Sequence, residues 1–335
     1  MRIHLKPLAE QIIVITGATS GHGLCTAQKA ASAGAKVMLA ARNEGALRAV
    51  CDDIRARGGT ADHVVADVGR EADVQRLATE TIARFGGFDT WVNNAGIGIY
   101  AAVVDLDLAD HRKLFETNYW GVVHGSVVAL RHFKERGGGA IINVGSINGD
   151  MGSPLLASYN ASKHAVKGFT DSLRIEMTKA GLPISVTLIK PSAIGTPFPQ
   201  HGRNLTGFAA RLPRPIYQPQ LVADAILDAA QRPRRAVTVG GAGKLQVLGA
   251  TLVPWLFDRI AASMTHSLID RKRPVGPVEG NLHAPRGSEG RVEGEQAGRA
   301  VSLFTRISRY PRATRAAIGF LAVGTLALAV RRSSR

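Results

Sequence analysis

The stretch from Gln11 to Ala33 restricts the fold of this chain more than any other. Gln11-Ile12-Ile13-Val14-Ile15-Thr16 is a short, β-branched apolar run, the pattern of a buried strand. It passes without a spacer into Gly17-Ala18-Thr19-Ser20-Gly21-His22-Gly23, and a helical pattern then runs from Leu24 to Ala33. Strand, glycine-rich turn and helix in that order suit a dinucleotide. Glycines let the backbone turn sharply and approach a pyrophosphate, and the N–H groups at the helix start meet its charge. A plain strand-to-helix turn has little need of three glycines in seven residues.

The alternation continues along the chain. Strands are predicted at 11–16, 36–41, 61–66, 89–93, 140–144, 184–189 and 236–239, with helices between them, the longest over about 107–134 and 159–180. This is the pattern of an α/β protein: a doubly wound parallel sheet, Rossmann-like and a single domain over 1–270, binding ligand at the carboxyl ends of its strands.

Within the last long helix, Tyr159 and Lys163 stand at i and i+4 and share a face. A free phenol, with a pKa near ~10, holds its proton too tightly for exchange at neutral pH. A neighbouring ammonium favours the phenolate and moves the tyrosine toward useful acid-base strength.

With the Gly-x-x-x-Gly-x-Gly spacing, Asn93-Asn94-Ala95-Gly96, Asn118, Ser146, Tyr159-x-x-x-Lys163 and Pro191-Ser192, the chain resembles the short-chain dehydrogenase/reductase family over about residues 8–240. The resemblance implies that Tyr159 is the general acid/base at a carbonyl or alcohol oxygen, and that Ser146 hydrogen-bonds the same oxygen. It implies that Lys163 tunes the tyrosine and binds the nicotinamide ribose, and that Asn118 holds a water linking Lys163 to solvent. Gly17, Thr19, Ser20, Gly21, His22 and Gly23 would form the phosphate turn. Asn94, Ala95 and Gly96 would line the adenosine ribose, and Asp67 and Val68 the adenine. Pro191, Ile194 and Thr196 would fix the carboxamide. His22 stands where relatives more often have an aliphatic residue; it is either a donor near the phosphates or a bystander.

The second strand, Lys36–Ala41, ends without the acid that would bond a ribose 2′-hydroxyl and is followed by Arg42. A guanidinium meets a 2′-phosphate with paired hydrogen bonds, so NADP(H) is expected over NAD(H), although Ser20 replaces the second basic residue that NADP-binding relatives often carry. The expected reaction is hydride transfer between NADP(H) and a carbonyl or secondary alcohol. The alternative on this fold is an NADP(H)-sensing or scaffold protein without turnover, which would have no need of a proton relay. Phe198, Phe208 and Leu212 in a Pro- and Gly-broken stretch, with Met151, Leu155 and Leu156, predict an apolar substrate. By the same resemblance, the helices bearing Asn118 and Tyr159 would pair copies into a dimer or tetramer.

Two cysteines, Cys25 and Cys51, cannot build a disulfide framework and point to a reducing, cytoplasmic compartment. The ten histidines show no ligand spacing, so no metal site is expected. Residues 271–300, rich in Gly, Pro, Arg and Glu, read as a flexible linker, followed by a basic tail at 301–335. Ala316–Val330 is an uncharged run of fifteen residues between arginines. As a helix it would span about 22 Å, short of the ~30 Å hydrocarbon core, a borderline membrane anchor. The net charge is +16, and residues 271–335 carry 13 Lys and Arg against four Asp and Glu. A basic tail with an apolar run suits an anionic membrane, and no nucleic-acid partner is expected.

Overall fold

The computed structural model describes residues 3–285 and 290–308. Its centre is a sheet of seven parallel strands: β1 (Ile12–Thr16), β2 (Lys36–Ala41), β3 (Thr60–Val65), β4 (Thr90–Asn93), β5 (Gly139–Val144), β6 (Ile184–Pro191) and β7 (Ala236–Val239). Their spatial order is β7-β6-β5-β4-β1-β2-β3. All six pairings are parallel, with Ile13 opposite both Val37 on β2 and Thr90 on β4. The order reverses between β1 and β4, which opens a crevice at their carboxyl ends.

Both faces of the sheet are covered, and the alternation of side chains along each strand supplies two cores. Ile13, Ile15, Val37 and Leu39 pack under α1 (Gly21–Ser32), α2 (Glu44–Ala56) and α7 (Pro219–Gln231). Val14, Met38, Trp91 and Ile141 pack on the other face, under α3 (Glu71–Phe85), α5 (Gly121–Arg136) and α6 (Ala157–Ala180). Buried polar groups set the position of α6. Asn93 Nδ2 donates to Asn143 Oδ1, and Asn143 Nδ2 donates to Thr170 Oγ1 on α6, each at 2.9 Å. This chain of hydrogen bonds ties β4, β5 and α6 together and fixes the helix that bears Tyr159.

Two features depart from the sequence reading. The long helix expected over 107–134 is divided: α4 (Leu108–Phe115) runs into a π turn at Glu116–Trp120 and then into α5. The stretch expected to be a flexible linker is, in its described part, a strap bound to the domain. Pro274 pairs with Phe208, continuing the antiparallel pairing of Ile269 and Asp270, just before this stretch, with Ala210 and Ala209. Farther along, Asn281 N donates to His201 O, Gly294 N to Gly195 O and Arg299 N to Ile216 O. A Cβ on Gly294 would lie 2.4 Å from Thr196 O, and one on Gly298 2.4 Å from the Tyr217 carbonyl carbon. The glycines there permit close backbone approach. The proposed anchor at 316–330 lies outside the described residues.

The stretch after β7 folds as a helical pair, α8 (Gly241–Leu252) and α9 (Pro254–Ser263), and none of the residues of α9 is buried. Leu245, Leu252 and Trp255 are 70, 68 and 63% exposed.

Candidate active site

The carboxyl ends of the strands bring the predicted residues into one crevice. Gly17 follows β1, Asn94 follows β4, Ser146 follows β5, and Thr196 lies just past β6. Ser146 caps a short 3-10 turn, its Oγ accepting from Asn148 N at 3.1 Å. Tyr159 and Lys163 face the same cavity from the first turns of α6. The Lys163 ammonium donates to Val144 O at 2.9 Å and lies 5.6 Å from the centre of the Tyr159 ring. Asn118 is fully buried within the π turn, where one extra residue per turn redirects side chains. Its Oδ1 accepts from Ile97 N at 2.9 Å, and its Nδ2 donates to Ile97 O at 3.0 Å and Ser162 Oγ at 3.1 Å. The backbone at Gly96 lies between: a Cβ there would be 3.6 Å from Asn118 Oδ1 and 3.7 Å from Lys163 Nζ.

The glycine turn is built for close approach. Gly17 and Gly21 have φ of +65° and +56°, in the left-handed region that favours glycine, and a Cβ on Gly23 would lie 2.2 Å from Gly17 O. Asn94 braces the turn, its Nδ2 donating to Thr16 O at 2.8 Å and Gly17 O at 3.1 Å. Gly17, Thr19, Ser20, Gly21, His22, Arg42, Asp67, Val68, Asn94, Ala95 and Gly96 line one cleft of about 140 Å³. His22, Asn94, Gly96 and Thr196 also line the adjoining cavity of about 460 Å³, together with Ser146, Tyr159, Lys163, Pro191 and Ile194. Gly23 and Asn118 support the walls from behind.

Residues 11–204 match the short chain dehydrogenase family. Over 324 residues the chain is 40% identical to the uncharacterized oxidoreductase YxnA of Bacillus subtilis (strain 168), covering 96% of this chain and 91% of that one. It is 32% identical to dehydrogenase/reductase SDR family member 7B of Mus musculus, covering 76% of this chain and 81% of that one. Among solved structures, it resembles a short chain dehydrogenase/reductase from Burkholderia phymatum in complex with NAD, with a TM-score of 0.68 and 26% identity over 82% of this chain and all of that one. The chain belongs to the short chain dehydrogenase family. It is an oxidoreductase of that type, on a Rossmann-like sheet.

In this short chain dehydrogenase the protein alone does not make the phenol labile. Burial pushes Tyr159 up to about 12, and the Ser146 hydroxyl draws it back only in part. Burial also brings Lys163 down to about 8, so the ammonium prevails at neutral pH. His22 is lowered to about 4 by burial, against the hydrogen bond its Nδ1 shares with Asn94 Oδ1 at 2.7 Å. It is a neutral brace at the crevice floor.

The donor set fits a dinucleotide, but two of its members are engaged by the strap. Gly21 N donates to Arg291 O at 2.9 Å. Arg42 donates to the carbonyls of Asn281 and, at 3.2 Å, Leu282. Asp67 holds its own turn through Gly69 N at 3.0 Å and pairs with Lys113 at 3.2 Å, beside the cleft it lines. A dinucleotide's phosphates reach the first two donors only as the strap carbonyls give way.

The larger cavity is mostly apolar. Met151, Leu156, Phe198 and Leu212 line it as the sequence predicted, while Leu155 and Phe208 do not. Phe208 is instead part of the strand pair with the strap. Tyr100 was not anticipated. It is buried on a two-residue strand, lines the cavity, and has its phenol pushed far up by burial. Thr16 was missed too; its Oγ1 accepts from Asn94 N and Ala95 N at 3.0 and 3.1 Å. Its position at the end of the first strand was the only signal in the sequence.

Proposed function

We propose that this short chain dehydrogenase transfers a hydride between NADP(H) and a carbonyl or secondary alcohol of an apolar substrate, with Tyr159 as general acid/base. The observation that carries the reading is the meeting of Tyr159, Ser146 and Lys163 on the wall of one apolar cavity that adjoins the glycine-turn cleft. The nicotinamide supplies the hydride donor or acceptor at its C4 carbon. Every remaining task falls to the chain. Ser146 holds the substrate oxygen against Tyr159. In reduction Tyr159 gives that oxygen its proton, and in oxidation it takes one. Lys163 places a positive charge next to the phenol and stabilises the phenolate left behind. Asn118 holds the Ile97 and Ser162 side of the path by which Lys163 is reprotonated.

Pro191, Ile194 and Thr196, at the end of β6, fit the carboxamide edge. Support for NADP(H) is the absence of an acid at the end of β2 and the presence of Arg42 there. In this reading Arg42 exchanges the strap carbonyls for a 2′-phosphate. Screening apolar ketones, aldehydes and alcohols by NADPH absorbance tests the assignment; a screen in which none is turned over would contradict it.

Membrane contact belongs to the same proposal. Leu245, Leu252 and Trp255 lie exposed on the helical pair α8–α9, and Leu245 also lines the cavity, so an anionic bilayer would meet both this surface and the basic tail. Among the described residues, no helix is long and apolar enough to cross a membrane. Self-association through the helices bearing Asn118 and Tyr159 is supported by Trp120 and Ile175, which are exposed there, and sedimentation velocity tests it.

A further inference from the structure

The substrate cavity is apolar, yet the ionisable groups on its wall are one-sided. It is lined by His22, Lys163, Arg211 and Arg214 and by no Asp or Glu. Two of these are committed. His22 is bonded to Asn94, and the Lys163 ammonium to the Val144 carbonyl beside Tyr159. The two arginines are different. Half-buried Arg174, Arg203 and Arg234 elsewhere in the chain each meet a carboxylate. Among the described residues no carboxylate meets the guanidinium of Arg211, whose Nε atom is buried without a hydrogen bond, while Arg214 is exposed and lines the same wall.

Arg211 is also held in place. Its backbone N–H donates to Leu268 O at 2.9 Å, directly beyond the strand pair of Phe208–Ala210 with the strap. Keeping the half-buried Arg211 guanidinium at an apolar wall with no counter-charge is costly, and a ligand that brings the missing negative oxygens removes the cost, with the exposed Arg214 as a second donor on the same wall.

We propose that the substrate is an anionic amphiphile. Its carboxylate or phosphate group binds Arg211 and Arg214, its apolar body lies against Leu156, Phe257, Ile260 and Met264, and its carbonyl reaches Tyr159 and Ser146. This deepens the catalytic reading and rests on it for the position of the carbonyl. The anion site itself stands on the cavity wall alone. The class includes long-chain oxo acids and the corresponding oxo-alkyl phosphates, and it excludes neutral ketones as preferred substrates.

The test uses the full-length protein and NADPH with three matched substrates: a long-chain oxo carboxylate, its methyl ester and an oxo-alkyl phosphate. The wild type is expected to use one of the two anions at least about tenfold better than the ester in kcat/KM, and whichever anion leads identifies the head group. In Arg211→Leu the anion-to-ester ratio should collapse, mainly through KM. Arg211→Lys should retain part of it, because a point charge replaces a planar fork. Calorimetry with the saturated fatty acid or alkyl phosphate, which lack a reactive carbonyl, reads the site without turnover. Binding to the wild type and its loss in Arg211→Leu/Arg214→Leu supports the site even if no carbonyl compound reacts, a result that would count against the catalytic reading alone. Equal use of anion and ester by the wild type, or equal calorimetric binding by the double variant, would overturn the proposal.

Discussion

Replacing Ser146 by alanine separates the two tasks assigned to that hydroxyl. Its Oγ accepts from Asn148 N, and it is the group that lowers the Tyr159 phenol against burial. Loss of the cap alone costs about 0.5–2 kcal/mol of stability. Loss of a hydrogen bond to an oxygen that carries charge in the transition state costs about 1.5–3 kcal/mol, or roughly 10- to 150-fold in kcat/KM. The pH profile distinguishes the effects. Oxidation of an alcohol needs the phenolate, and with Tyr159 at about 12 its rate should climb with pH across the alkaline range. Removing Ser146 takes away the group that lowers the phenol, so the rising limb should move to still higher pH. Reduction, which uses the protonated phenol, should fall in rate without gaining a new pH dependence below that range. The assay is steady-state kcat/KM against pH in both directions, beside a thermal melt at each pH. A Ser146→Ala enzyme that melts earlier but keeps both the rate and the position of the alkaline limb would refute the catalytic role and leave only the cap. Ser146→Thr, which keeps a hydroxyl, should restore much of the rate.

Arg42→Asp should shift the kcat/KM preference from NADPH toward NADH by about tenfold or more, since an acid repels a 2′-phosphate and accepts from a 2′-hydroxyl; identical ratios before and after would defeat the phosphate role. His22 gives a stability prediction with a definite sign. Its folded value of about 4 lies below 6.5, so folding favours the neutral ring, and stability present above pH 6.5 is lost as pH falls toward 4. The loss amounts to about 3 kcal/mol, and denaturant melts of His22→Asn should show a shallower acid limb than the wild type. An equally steep limb would remove His22 from that account. For the membrane surface, Leu252→Asp should weaken flotation with anionic vesicles by about tenfold at low salt, and Trp255 emission should move to the blue on vesicle addition only in the parent chain. Unchanged flotation would exclude this helical pair as the contact.

Legibility followed the range of the forces involved. The strands and the order of the site were open to reading because a β-branched run and a glycine turn carry their structure in adjacent residues. Gly17 and Gly21 adopt positive φ where the turn needed them. The π turn that points Asn118 at Ile97 and Ser162 was not legible, since 107–134 has unbroken helical periodicity and the extra residue is stabilised by partners from distant elements. The strap misled for the opposite reason. Gly280, Gly294 and Gly298 read as flexible, but each marks a place where another backbone passes within 2.4 Å of where a Cβ would stand. Composition counts the lost side chains and is blind to the hydrogen bonds that replace them. Arg42 was visible as a cation, whereas its partners, the carbonyls of Asn281 and Leu282, lie some 240 positions away in sequence.

The central claim is that the phenolic oxygen of Tyr159 gives and takes the proton that accompanies hydride transfer. Tyr159→Phe removes that oxygen and leaves the ring that packs 5.3 Å from Phe198, so the cavity should keep its shape. NADPH binding, followed by fluorescence titration, should stay within a few-fold of the wild type, while single-turnover oxidation of bound NADPH by an accepted carbonyl falls by about 10²- to 10⁴-fold. A variant that binds NADPH normally and transfers hydride at the wild-type rate would contradict the account at its root.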